Sequence, residues 1–130
     1  MAVVALVVDD SMIIRHMICR FLEDRGYTVE VASNGQEALE AAARKLPALI
    51  ITDMQMPAMG GGEFISALKS KPETANIPIV ILTGRSSGYD KGENRAEFTI
   101  FKDIDIQEQL EKALEALAKR RAAKAQSSGN

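Results

Sequence analysis

Apolar residues along this chain fall into two kinds of run. VVALVV at 3–8, ALIIT at 48–52 and IPIVIL at 77–82 are unbroken, the pattern of strands covered on both faces. Residues 28–32 instead alternate, with Val29 and Val31 against Thr28 and Glu30. That pattern predicts a strand with one wetter side, at the edge of a sheet. FTIF at 98–101 is a shorter fifth run. Between the strands the apolar spacing turns helical. Residues 11–25 place Ile14, Met17, Ile18, Phe21 and Leu22 on one stripe, and 36–45 form an Ala-rich helix. A third helix holds Phe64, Ile65 and Leu68, and a last runs from Ile106 through Leu110, Leu114 and Leu117. Ser11 suits the start of the first helix, and Asn34 or Gly35 that of the second.

Strands alternating with helices predict a parallel sheet with right-handed crossovers, a doubly wound three-layer α/β domain. With the second strand at an edge, the order is 2-1-3-4-5. The segment 84–97 breaks the rhythm. It has three glycines, paired serines, and only Tyr89 and Ala96 as apolar candidates, so an irregular loop or a short, loosely held helix is expected there. The domain is expected to span 1–121, with 122–130 as a polar, disordered tail. The basic cluster Lys119, Arg120, Arg121 and Lys124 suits a helix C-terminus.

In such a sheet the carboxyl ends of the strands lie along one edge, where ligands bind. Asp9 and Asp10 follow the first run, Asp53 the third, Thr83 the fourth and Lys102 the fifth, so residues far apart in sequence become neighbours. Three carboxylates together repel unless a cation intervenes. An all-oxygen site of this kind favours Mg²⁺. Lys102 can pair with Asp53 or with a phosphoryl oxygen, and Thr83 offers a hydroxyl donor. The set reads as a phosphoryl-binding site with a carboxylate nucleophile. Each residue alone has a plainer use, as a cap, a turn former, a strand end or a solvated cation. Their joint placement carries the reading.

The remaining features change the picture less. The chain's 130 residues suffice for one domain, and 46% hydrophobic with 26% charged residues is ordinary for a globular protein. A net charge of −2 gives no reason to expect a nucleic-acid or membrane partner. There is no apolar run of membrane-spanning length and no secretory signal, so a cytoplasmic location is expected. Cys19, the single cysteine, cannot form an internal disulfide. On the first helix, Met12, His16 and Cys19 are expected opposite the apolar stripe with Arg15 at its border, a face left open for a partner.

VVDDS at 7–11, TDMQMPAMGG at 52–61, ILTG at 81–84 and FKD at 101–103 resemble the receiver domains of two-component response regulators. The likeness runs from about Val3 to Leu117 and implies a flavodoxin-like sandwich. It also implies that Asp53 is phosphorylated by a partner histidine kinase or histidine phosphotransfer protein. Asp9 and Asp10 would bind Mg²⁺, together with Asp53 and the main-chain carbonyl of Gln55. Thr83 would be the switch hydroxyl and Lys102 the phosphoryl partner. The resemblance implies a phosphoacceptor rather than an enzyme, at most one that phosphorylates and dephosphorylates itself, switching a surface for an unknown downstream protein.

This chain departs from the family pattern at Gly60, where Asp is usual, at Asp103, where Pro is usual, and at Thr99 in the place of the switch aromatic. The interval from Thr83 to Lys102 is also short for the family. A trans bond is expected between Lys102 and Asp103, with altered aim of Lys102. Three rival readings are weighed. A haloacid dehalogenase-type phosphatase wants an acid where Gln55 stands. A flavin carrier would not place Asp9 and Asp10 against a phosphate. A receiver-like adaptor that binds partners independently of phosphorylation is the strongest alternative.

Overall fold

Among the described residues the elements are, in chain order, β1 (Val3–Val8), α1 (Met12–Glu23), β2 (Tyr27–Ala32), α2 (Gly35–Arg44), β3 (Leu49–Asp53), α3 (Gly61–Lys69), β4 (Ile79–Thr83), β5 (Phe98–Phe101) and α4 (Ile106–Ser128), with strand and helix alternating as far as β4. The computed structural model describes residues 3–55, 59, 61–84, 96–102 and 105–128. The five strands are all parallel, in the order β2-β1-β3-β4-β5.

Every residue of β3 and β4 is buried, which accounts for their unbroken apolar runs. Side chains alternate across the sheet into two cores. On one face Leu6, Val8, Ile50, Ile79 and Ile81 pack with Ala38, Ala41 and Ala42 of α2 and Phe64, Ile65 and Leu68 of α3. On the other Ala5, Val7, Leu49, Ile51, Leu82 and Ile100 pack with Ile18, Phe21 and Leu22 of α1 and Ile106 and Leu110 of α4. Strand β2 is an edge, as expected, but the alternation does not mark its wetter side: Val31 is 51% exposed while Thr28 and Glu30 are half-buried.

The helix starts also follow from sequence. The Ser11 hydroxyl caps α1 by accepting the Ile14 N–H, and the Asn34 side chain caps α2 by accepting the Glu37 N–H at 2.9 Å. Gly26 lies at φ +90°, a left-handed conformation that lets the chain leave α1 for β2.

Four expectations need revision or fall elsewhere. The segment expected as an unstructured tail from 122 is helical to Ser128. Ala122, Ala123, Lys124, Ala125 and Gln126 are strong helix formers, so an established helix propagates through them. Cys19 is half-buried against the α1 and α4 core rather than on the open side, whereas Met12 and His16 are exposed. The loop expected at 84–97 lies, for 85–95, outside the described residues, as does the Lys102–Asp103 bond.

Candidate functional site

Register brings the candidate residues to one edge. Val8 pairs with Thr52, Asp53 with Leu82, and Thr83 with Phe101. The ladder continues one step past the strands. The Asp9 N–H donates to the Ala32 carbonyl (3.1 Å), the Met54 N–H to the Leu82 carbonyl (3.2 Å), and the Lys102 N–H to the Thr83 carbonyl (2.9 Å). Asp9 is therefore held as firmly as a strand residue, although it begins the turn into α1. By period-two alternation Asp9, Asp53 and Lys102 continue the rows of Val7, Ile51 and Ile100, all on the α1 and α4 face.

Carboxylate oxygens of Asp9, Asp10 and Asp53 lie within 4.8 Å of one another. Asp9 is fully buried, Asp53 is 4% exposed, and Asp10 is exposed. The two buried carboxylates are held alike. Asp9 Oδ1 accepts the Ser11 N–H at 2.8 Å, and Asp53 Oδ1 accepts the Gln55 N–H at 3.2 Å. Each turns its other oxygen to Lys102, whose Nζ lies 2.9 Å from Asp53 Oδ2 and 3.1 Å from Asp9 Oδ2. The sequence pattern anticipates the first of these ion pairs but not the second.

One ammonium against three carboxylates leaves the site net negative. Burial pushes the Asp9 carboxyl above its ordinary 3.8. The neighbouring Asp53 adds to that rise, and the Ser11 N–H and Lys102 only partly offset it. Burial would lower Lys102, but Asp53 and Asp9 outweigh it and hold the ammonium above its ordinary 10.5. Asp9 Oδ2 meets Lys102 without hydrogen-bonding geometry and, although buried, has no hydrogen-bond partner among the described residues. A buried carboxylate oxygen with spare acceptor capacity, beside two further carboxylates, fits a hard divalent cation.

Thr83 is buried at the end of β4, with its hydroxyl 3.4 Å from the Gly84 carbonyl. Two contributors were not legible in the sequence. Arg15 Nη1 donates to the Asp9 carbonyl (3.1 Å), and the Gln109 amide pairs with the main chain of Phe101, the residue before Lys102. Both partners are backbone groups, which carry no mark in a sequence.

The doubly wound order, with acid at the ends of β1 and β3 and a lysine after β5, is the arrangement of a receiver-type fold. Residues 5–115 match the response regulator receiver domain, and the chain belongs to that family, the receiver domains of two-component signal transduction. It is similar to the chemotaxis response regulator CheY4 of Vibrio cholerae, at 36% identity and a TM-score of 0.80 over 89% of this chain and 98% of that one. It is 41% identical over 87 residues to response regulator MprA of Mycobacterium ulcerans, covering 67% of this chain and 37% of the relative. It is also 38% identical over 106 residues to histidine kinase P4 of Formosa agariphila, covering 79% of this chain and 8% of the relative. The chain thus spans well under half the length of these two curated relatives. Among the described residues no helix is long and apolar enough to cross a membrane.

Proposed function

We propose that Asp53 accepts a phosphoryl group from a histidine kinase or histidine phosphotransfer protein, and that the modified domain then alters its affinity for a downstream protein. The observation that carries this reading is the convergence of three carboxylates within 4.8 Å around an edge whose lysine reaches two of them at 2.9 and 3.1 Å. An Asp53 oxygen attacks the phosphorus as the bond to the donor's imidazole nitrogen breaks, and that nitrogen keeps the electron pair. The Lys102 ammonium exchanges a carboxylate oxygen for a phosphoryl oxygen, and the Thr83 hydroxyl donates to another. Asp9, Asp10, Asp53 and the Gln55 carbonyl would hold Mg²⁺, which when bound supplies positive charge against the phosphoryl oxygens. Burial of Asp9 and Asp53 makes each of these interactions stronger than it would be in water. Self-dephosphorylation by water and a cytoplasmic location belong to the same proposal.

Incubation with Mg²⁺ and acetyl phosphate, followed by intact mass spectrometry, tests it. The expected result is a gain of one phosphoryl group that is absent in Asp53→Asn. No gain in the wild-type chain, or an equal gain in the variant, overturns the assignment. Failure of the wild type would favour the phosphorylation-independent adaptor.

A further inference from the structure

The site's lysine stands at an edge of the sheet. Strand β5 has four residues and pairs only with β4. In a parallel ladder, alternate residues turn their N–H and C=O to the same side. Since the Lys102 N–H points inward to the Thr83 carbonyl, both main-chain groups of Phe101 face the open edge. Among the described residues no strand meets them.

Gln109, one turn into α4, takes that place. Its Oε1 accepts the Phe101 N–H at 2.9 Å and its Nε2 donates to the Phe101 carbonyl at 2.9 Å, as a neighbouring peptide would. The same Nε2 donates to the Asp105 carbonyl at 3.2 Å, and the Asp105 side chain accepts the Glu108 N–H at 3.2 Å. The side chain therefore joins the last peptide of β5 to the first turn of α4. That turn is itself anchored, since Ile106 and Leu110 beside Gln109 are buried in the core.

We propose that Gln109 is a positioning residue for Lys102. It fixes the peptide from which the lysine stem departs and so delivers the ammonium to Asp9 and Asp53. A lysine stem is long and rotatable, so where its charge sits depends on how firmly its own Cα is held. With the amide removed, the edge peptide exchanges these bonds for water, α4 keeps its buried anchors, and the origin of Lys102 rests on its own N–H bond to the Thr83 carbonyl. The carboxylates proposed to hold the metal, Asp9 and Asp10 just past β1 and Asp53 at the end of β3, make no hydrogen bond to Gln109. The inference rests on the phosphoacceptor reading above.

The test uses the full chain as wild type, Gln109→Met and Gln109→Glu. Met keeps side-chain length and helix propensity without the hydrogen bonds. Glu keeps an acceptor for the Phe101 N–H but opposes the carbonyls. Amide NMR titrations measure affinity for Mg²⁺ alone and then for beryllofluoride, a phosphoryl mimic, with Mg²⁺ saturating, while urea unfolding reports stability. Gln109→Met is expected to bind Mg²⁺ within about twofold of wild type and beryllofluoride about tenfold more weakly, with the Lys102 amide resonance displaced and Gln109→Glu intermediate. Wild-type beryllofluoride affinity in Gln109→Met overturns the proposal. So does an equal weakening of both ligands that tracks lost stability, which would make Gln109 structural only. A wild-type chain that binds Mg²⁺ but not beryllofluoride overturns the phosphoacceptor reading itself, and a shared failure is told from a failure of this inference alone by that control.

Discussion

Asp9 sits in the most strained electrostatic position among the described residues: fully buried, beside Asp53, and sharing Lys102 with it. Because its folded pKa lies above the ordinary 3.8, the folded state holds its proton more tightly than the unfolded chain does. Stability therefore falls as pH rises from about 3.8 through the raised value, and the cost persists at neutral pH. Asp9→Asn keeps an acceptor for the Ser11 N–H and removes the buried charge. It is expected to be more stable than wild type at pH 7 with chelator present, a gain that fades toward pH 3.8, as urea unfolding across pH would report. Lys102 works the other way. Its folded pKa is raised, so its stabilisation is complete below 10.5 and is lost as pH climbs through the raised value. Added Mg²⁺ at tenfold its Kd should stabilise the wild type by about 1.4 kcal/mol and Asp9→Asn much less; equal stabilisation would place the ion elsewhere. At Cys19, burial pushes the thiol up and Glu23 adds to it, against the lowering by Arg15. Slow alkylation of the native chain at pH 7 is the expected outcome, since the thiolate is the nucleophile.

Helix α2 shows how one element constrains the loop after Asp53. The Gly35 N–H, at the first helical position, donates to the Met59 carbonyl at 3.2 Å. A Cβ on Gly35 would stand 2.8 Å from Met59 Cγ and 2.9 Å from both its Cβ and its carbonyl oxygen. The helix start and the β3–α3 loop thus touch through a residue that must lack a side chain. Gly35→Ala improves helix propensity by up to about 1 kcal/mol, yet overpacking costs about 1–3 kcal/mol. A net loss of about 1–2 kcal/mol in urea unfolding is expected; a net gain would mean that Met59 yields freely. The same helix start depends on Asn34, and Asn34→Ala should cost about 1 kcal/mol through loss of the Glu37 N–H bond.

Across the whole molecule, protection should follow sheet position. Strands β1, β3 and β4 are flanked on both sides and covered on both faces, so amides such as those of Leu6, Ile51 and Ile81 are expected to exchange only on global unfolding. Strands β2 and β5 have one neighbour each and should exchange through smaller openings, measurably faster at pH 7. Protection of β5 equal to that of β3 would contradict this ranking. The functional edge therefore joins stable and less stable strands, with Asp9 and Asp53 on the rigid part and Lys102 on the labile one.

Much of this was legible in the residues. Unbroken and alternating apolar runs determine which strands are central and which is an edge, and chain alternation determines the parallel, doubly wound order. From that order alone Asp9, Asp10, Asp53, Thr83 and Lys102 fall at one edge, because the carboxyl ends of parallel strands share it. The helical continuation from 122 to Ser128 follows from helix propensity rather than from the polarity of the segment. Only the tertiary structure decided how the edge is assembled: that Asp9 is fully buried and shares Lys102 with Asp53, that Arg15 and Gln109 act on main-chain groups, and that Gly35 leaves room for Met59. Side-chain periodicity records which face a residue occupies. A backbone partner or a shared counter-ion depends on distances across the fold, which no local pattern encodes.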